Sequence, residues 1–529
     1  METIIKNGWI IDGTGAGKYR ADVLIRDEKI VEIGGNISAQ SRHVIDADGR
    51  FVMPGFIDTH SHSDIEILSR PALEPKIRQG ITTEILGQDG VSVVPVPPKH
   101  LNEWKKNIAG LDGDGANIDW SFHNTQEYLD TLKNTGINSN VAYLVPHGNI
   151  RLEVMGWDNR EATDDEIEKM KKVLRREMRA GAVGLSTGLI YVPCAYSAKR
   201  ELIELCKAAH ELNGIFVVHQ RSEANDILDS MAEIIDIARF SGIPLHISHF
   251  KICGKNNKEK IDSAFEMIDA AKKAGVAVSF DQYPYTAGST ALSVILPSWV
   301  MAGGIKNMMS NLASETTRDQ IKKEIESNSC GWDNFVEFAG LDGIYITSVH
   351  SQKNTAAIGK NLTQLGEMRN TSPLDAAFDL LMEEENNVGM VDFYGDEDTL
   401  KKIMCRDEQN FCTDGIFSGK PHPRTYGTYP RVFEKYVKEE KLFSVEQAVY
   451  KMCGKPAKVF NLAQRGEIKP GNYADIVIMD FDSIAEKGTY IQPKQYPQGI
   501  CMVFINGHIV FENNRVALNR KGMVIRNHI

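Results

Sequence analysis

Two histidines two residues apart, His60 and His62, close the run Phe56-Ile57-Asp58-Thr59-His60-Ser61-His62. Side chains alternate along an extended segment, so both imidazoles point to one side. Further apolar runs end on residues of the same chemical kind: Ile81 to Asp89, Phe216-Val217-Val218-His219, His246-Ile247-Ser248-His249 and Asn410-Phe411-Cys412-Thr413-Asp414-Gly415. Neutral imidazole and carboxylate are ligands of Zn²⁺ and its neighbours, at about 2.0 to 2.2 Å. A hydrolytic metal site also keeps an open position for water, whose pKa falls to about 7 when bound. Asp414, ending the last run, is placed to hold that water and carry its proton, a general acid–base role worth about 10² to 10⁴ in rate. A lone histidine at a strand end is more often a hydrogen-bonded structural residue than a ligand. The set taken together is what points to a metal site.

Such residues converge only if the runs are strands of one closed sheet. Between residues 57 and 459 short apolar strands alternate with amphipathic helices. Helical spacing covers Thr163 to Ala180, Lys199 to Leu212, Ile227 to Phe240 and Lys258 to Lys273. Strand-like runs follow each, at Ala182 to Ser186, Ile215 to His219, Pro244 to His249 and Val276 to Asp281. This rhythm predicts an α/β fold, a (β/α)8 TIM-like barrel whose strand ends meet on one face. The stretch near 286–350 breaks the rhythm and is expected to be an insertion lying over the barrel mouth as a lid. Residues 1–56 and 460–529 are β-rich, with turn signals at Asp27-Glu28 and Asn506-Gly507. They are expected to pair into a small β-sandwich domain built from both termini.

Composition narrows the function. The chain has 529 residues, 42% hydrophobic and 25% charged, and a net charge of −11. That is ordinary for a globular protein and leaves no basic footprint for nucleic acid. No run approaches the roughly 18 to 20 apolar residues of a membrane span, and the N-terminal residues lack a secretory pattern. Eight cysteines are scattered without a CxxC pair, as expected of reduced thiols in a cytoplasmic protein.

At this point the residues resemble a known family. Phe56-Ile57-Asp58-Thr59-His60-Ser61-His62-Ser63-Asp64 is similar to the first-strand motif of the amidohydrolase superfamily. Gly466 to Gly471 and Ala474-Asp475-Ile476-Val477 resemble its small β-sandwich. Within it the chain resembles the N-acyl-D-amino-acid deacylases, or D-aminoacylases. The carriers are Gly181 to Tyr191, His219-Gln220-Arg221-Ser222-Glu223, Ile247 to Lys251, Tyr283 to Thr290, His422-Pro423-Arg424 and Tyr426 to Arg431. The resemblance implies hydrolysis of the amide of an N-acyl-D-amino acid, with one or two Zn²⁺ ions or another divalent metal. It implies metal ligation by His60 and His62 at one position and by His219 and His249 at the tighter one, with Asp414 as catalytic acid–base and ligand. It also implies substrate contacts from Tyr191, Lys251, Tyr283, Ser289 and Arg424. The D-stereochemistry comes from this likeness alone.

The chain departs from the pattern at one place. The D-aminoacylases carry Gly-Asn-Cys-Gly after the second strand, with the cysteine as a ligand, whereas this chain reads Gly87-Gln88-Asp89-Gly90. Asp89 is expected to supply a bridging carboxylate, a hard ligand in place of a soft one. Glu84 competes for that role, although along an ideal strand the two differ in parity. Cys194, Cys253 and Cys412 are expected to be packed thiols, and Asp281 to orient a neighbour or to make a structural hydrogen bond. His147 and Arg151 match a further block, His-Gly-x-x-Arg, with a supporting role. The rival readings are a dipeptidase on D-residue peptides, a cyclic-amide hydrolase, and a non-catalytic scaffold that keeps the barrel.

Overall fold

The computed structural model describes residues 2–37, 43–113, 115, 117–327 and 331–527. Cys330 therefore lies outside the described residues. Eight parallel strands form the central sheet: β1 (Phe56–Asp58), β2 (Ile81–Leu86), β3 (Asn140–Pro146), β4 (Gly184–Gly188), β5 (Ile215–His219), β6 (Leu245–Ile247), β7 (Val278–Gln282) and β8 (Gln409–Phe411). They pair in chain order, so each strand lies beside its neighbours in sequence. Nearly every residue of these strands is buried, which is why they read as continuous apolar runs rather than alternating ones.

Helices supply the outer layer. The helix Asp164–Arg179 starts at Thr163, whose side chain accepts from the Glu166 N–H while Glu166 reaches back, a reciprocal cap written in the sequence Thr-x-x-Glu. Its Ile167, Met170, Leu174 and Met178 are buried, and the last three join the largest apolar cluster.

The sheet closes by a single backbone bridge and side chains rather than by a ladder. β1 and β8 meet beyond their ends, where Ser61 bridges Gly415. Asp58 Oδ1 accepts from the Thr413 N–H at 2.8 Å. Lys76, fully buried, donates to Asp58, to Ser61 Oγ at 2.9 Å and to Thr413 Oγ1 at 2.7 Å. A lysine this deep requires such partners, because an unpaired buried ammonium is strongly unfavourable.

Both ends of the chain build one nine-stranded sheet. Phe51–Pro54 pairs antiparallel with Ile476–Met479, joining the N-terminal strands to the C-terminal ones. Asn506 and Gly507, at φ 49° and 76°, make the tight hairpin turn between Ile500–Ile505 and His508–Glu512. Asn7-Gly8, by contrast, is no turn: the strand Glu2–Ile10 runs through it with a register shift.

The excursion after β7 is longer than residues 286–350. It contains a three-stranded antiparallel sheet of Ala287–Ala291, Val388–Phe393 and Ile344–Val349, with Val388–Phe393 in the middle. The central strand comes last in sequence, so the excursion is complete only at Phe393. Regular β/α alternation resumes with the helix Glu397–Met404.

Candidate active site

The C-terminal ends of the barrel strands carry the ligand candidates, where barrel enzymes place their chemistry. His60 and His62 follow β1, Asp89 follows β2, His219 is the last residue of β5, His249 follows β6 and Asp414 follows β8. Asp89, His249 and Asp414 occupy left-handed backbone, at φ 55°, 35° and 47°. Such conformations cost on the order of 1 to 3 kcal/mol each and gather where a surrounding structure over-determines them. Here the Asp414 N–H donates to the His60 carbonyl at 2.9 Å, and the His249 N–H donates to Asp281 Oδ1.

Asp89 is the hub of the cluster. Its Oδ1 lies 3.5 Å from His60 Nε2, 3.7 Å from His249 Nε2 and 4.0 Å from His219 Nδ1. Its Oδ2 lies 3.5 Å from His62 Nε2. Asp414 Oδ1 stands 3.3 Å from His62 Nε2 and 3.8 Å from His60 Nε2. His219 Nδ1 and His249 Nε2 face each other at 2.9 Å. All six side chains are buried.

This arrangement fits a metal ion. His60 Nε2, His62 Nε2 and Asp89 Oδ1 are buried without a hydrogen-bond partner, although they point at one another. Three overlapping groups of this set, each combining His60 or His249 with a carboxylate, bring their donor atoms within 4.8 Å. Burial lowers His219 to about 4 and keeps it neutral, as ligation requires. Burial opposes charge on His62, yet the carboxylates of Asp112, Asp414 and Asp89 outweigh it and hold the ring well above the usual imidazole range. A divalent cation supplies the same compensation and competes with that proton.

Two acids steady the rings from behind. Asp112 Oδ1 lies 3.1 Å from His62 Nδ1, and Glu223 Oε1 lies 3.1 Å from His249 Nδ1. Carboxylates in this position fix the tautomer and orientation of a ligating histidine. Glu223 stands four residues after His219, in the run His219-Gln220-Arg221-Ser222-Glu223, and the i, i+4 spacing is the signal available for it. Asp112 ends a helix with no motif around it, and sequence reasoning missed it.

The expected substrate residues line one cavity with this cluster: Tyr191, Lys251, Tyr283, Ser289 and Arg424 border it together with Asp89, His219, His249 and Asp414. Lys251 Nζ donates to Glu223 Oε1 at 2.7 Å. Arg424 Nη2 lies 3.1 Å from Asp414 Oδ2 and donates to the Ser289 carbonyl at 3.0 Å. The Arg424 guanidinium packs over the Tyr283 ring at 4.4 Å. Tyr191 and Tyr283 hydroxyls pair with Thr290 and Tyr394, at 2.9 and 2.6 Å. The Ser289 hydroxyl donates to the Met390 carbonyl at 2.8 Å, so what it shows Arg424 is its backbone oxygen.

Other residues singled out in the sequence go elsewhere. Glu84 accepts from Ser61 and Ser63, both at 2.7 Å, and faces Lys76. Parity did not decide between it and Asp89, because β2 ends at Leu86 and Asp89 sits on the turn beyond. Asp281 accepts from Thr59 at 2.8 Å and pairs with His246 at 3.0 Å, besides orienting His249. His147 contacts Glu201 at 2.6 Å, and Arg151 pairs with the same carboxylate. Cys194 and Cys412 are buried in apolar clusters, and Cys253 is buried in the wall of the cavity.

Parallel strands in a near-closed ring, with imidazoles and carboxylates at their C-terminal ends, define a barrel hydrolase. The sequence profile of the amidohydrolase family matches residues 43–302 and 407–511, and the chain belongs to that family. It is 32% identical to a D-aminoacylase of Alcaligenes xylosoxydans xylosoxydans, over 99% of this chain and 97% of the relative. Among solved structures, an N-acyl-D-glutamate deacylase from Bordetella bronchiseptica, complexed with zinc and a phosphonate mimic of the tetrahedral intermediate, is similar with a TM-score of 0.85. That similarity has 33% identity and covers 99% of each chain. A D-aminoacylase with a binuclear metal centre gives a TM-score of 0.83 at 31% identity, again over 99% of each chain.

Proposed function

We propose that this protein is a metal-dependent N-acyl-D-amino-acid deacylase, hydrolysing the amide of a small N-acyl amino acid to a carboxylate and a free D-amino acid. The observation that carries the reading is the meeting of four imidazoles around Asp89, with Asp414 Oδ1 within 3.8 Å of two of them. The full-length likeness to deacylases supplies the substrate class.

The residues suit Zn²⁺, one ion or two, as in the zinc-bound and binuclear relatives. His60 and His62 would serve one position, His219 and His249 the other, and Asp89 would lie between them. When bound, the ion acidifies a water and polarises the amide carbonyl. Asp414 takes the proton of the attacking water on a carboxylate oxygen and passes it to the leaving nitrogen. Lys251 and Arg424 anchor the substrate carboxylate through charge-assisted hydrogen bonds. Tyr191, Tyr283 and Ser289 wall the pocket.

In the same reading, residues 57–459 are the catalytic unit, and residues 1–56 with 460–529 form the supporting sheet. A cytoplasmic location is supported by the described cysteines, all of which are free thiols. Among the described residues no helix is long and apolar enough to cross a membrane.

The test is a panel of N-acetyl-D-amino acids, N-acetyl-L-amino acids, dipeptides and hydantoins, assayed on protein of measured metal content. Turnover of the N-acetyl-D series is expected. Turnover of cyclic amides alone would discard the deacylase reading.

A further inference from the structure

The cavity beside the histidine cluster holds a carboxylate that the proposed reaction does not use. Asp392 lies on the middle strand of the three-stranded sheet, paired with Gly288, and is 2% exposed. It borders the same cavity as Lys251, Ser289 and Arg424. Its carboxylate borders the cavity, and no other described residue donates a hydrogen bond to it. A carboxylate at a cavity wall with no protein donor has its oxygens free to accept from a bound molecule. Burial pushes Asp392 up to about 7, against the pull of Lys251 and Arg424. Gly288 leaves the acid uncovered: a Cβ there would lie 2.9 Å from Asp392 Oδ1.

The two cations of the cavity each face a carboxylate already, and the proposed reaction uses both for the substrate's α-carboxylate. Lys251 is held by Glu223 at 2.7 Å and Arg424 by Asp414 at 3.1 Å. The donors still unpartnered are Arg424 Nε and Nη1, which suit the α-carboxylate of a substrate. No further lysine or arginine borders the cavity among the described residues. A second carboxylate on the substrate would therefore meet Asp392 with no cation beyond Lys251 and Arg424, each of which already faces a carboxylate.

We infer that Asp392 selects the substrate's side chain: it accepts a hydrogen bond from the bound D-residue, so the pocket takes side chains ending in a carboxamide, hydroxyl or amine and rejects side-chain carboxylates. The inference rests on the deacylase reading and narrows it. Overall likeness does not make this choice, since identity to a D-aminoacylase and to a D-glutamate deacylase is nearly equal, 32% and 33%.

N-acetyl-D-glutamine and N-acetyl-D-glutamate differ little in shape and differ in what they show an acceptor. On the metal-loaded enzyme, kcat/KM for the glutamine substrate should exceed that for the glutamate by about 100-fold or more, because a site built to receive a donor leaves the wrong group unpaired or repelled. Asp392→Asn, of the same shape, should narrow that ratio by about tenfold or more. N-acetyl-D-methionine serves as the neutral reference. A wild-type ratio near one, with the methionine substrate turned over, overturns the subsite and spares the deacylase. An equal fall on all three substrates in Asp392→Asn also overturns it, since the acid would then be supporting Lys251 and Arg424. If Asp392→Asn loses its metal or its fold, the wild-type ratio alone decides. No turnover of any N-acetyl-D-amino acid removes the deacylase reading and the subsite with it.

Discussion

Asp414 Oδ2 and Arg424 Nη2 stand 3.1 Å apart in the cavity, both shielded from bulk water. Burial pushes the Asp414 carboxyl up, but the guanidinium of Arg424 and the imidazoles of His60 and His62 outweigh it and hold the group well below the usual carboxylate range. The pair ties the proposed proton carrier to the proposed anchor of the substrate, so a ligand that engages Arg424 also changes the charge facing Asp414.

Asp414→Asn keeps the shape of the side chain and removes its capacity to take a proton. The variant should fold and hold metal as the wild type does, while turnover falls on the order of 10²-fold or more. Single-turnover kinetics alongside metal analysis check this. Unimpaired turnover would take Asp414 out of the mechanism.

Asp89→Ala removes the carboxylate that faces all four imidazoles. Metal content after purification without chelator should drop, and Asp89→Cys should restore binding with a shift toward softer ions. Full occupancy in the alanine variant would show that the imidazoles suffice.

Lys76→Met strands the buried carboxylates of Asp58 and Glu84. Removing one partner of a buried ion pair costs about 3 to 5 kcal/mol. The variant should unfold at a distinctly lower urea midpoint. A midpoint equal to wild type would mean that the clamp between β1 and β8 contributes little.

His147 gives a pH signature. Burial works against its charge, but the neighbouring Cys194 and the Glu201 carboxylate, 2.6 Å from Nε2, prevail and raise it to about 9. An unfolded histidine titrates near 6.5, so protonation favours the folded state. That stability is fully present below about pH 6.5 and is lost as pH rises through about 9. Urea unfolding across this window should show the loss in wild type and a flatter profile in His147→Gln. Parallel profiles would contradict the assignment.

The residues that end barrel strands are legible in the amino-acid order alone. His60, His62, His219, His249 and Asp414 each close an apolar run, and the barrel forces such ends together. The helix at Asp164–Arg179 carries its own cap in Thr163 and Glu166. What stays hidden depends on distant contacts. Asp112 reaches His62 across 50 residues, and Asp392 enters the cavity from a strand whose place is set by Ala287–Ala291, about a hundred residues earlier. Lys76 looks like any surface lysine until Asp58 and Thr413 are seen around it. The excursion after β7 reads as too short for the same reason: its central strand is the last to arrive.

The clamp at β1 and β8 has a consequence for how activity is born. Asp58 and Thr413 are 355 positions apart, and the histidines that follow Asp58 wait on the acid that follows Thr413. A nascent or truncated chain ending before β8 carries every imidazole of the centre and no proton carrier. Such a piece could capture an ion, but hydrolysis begins only when the final strand docks and the ring is locked.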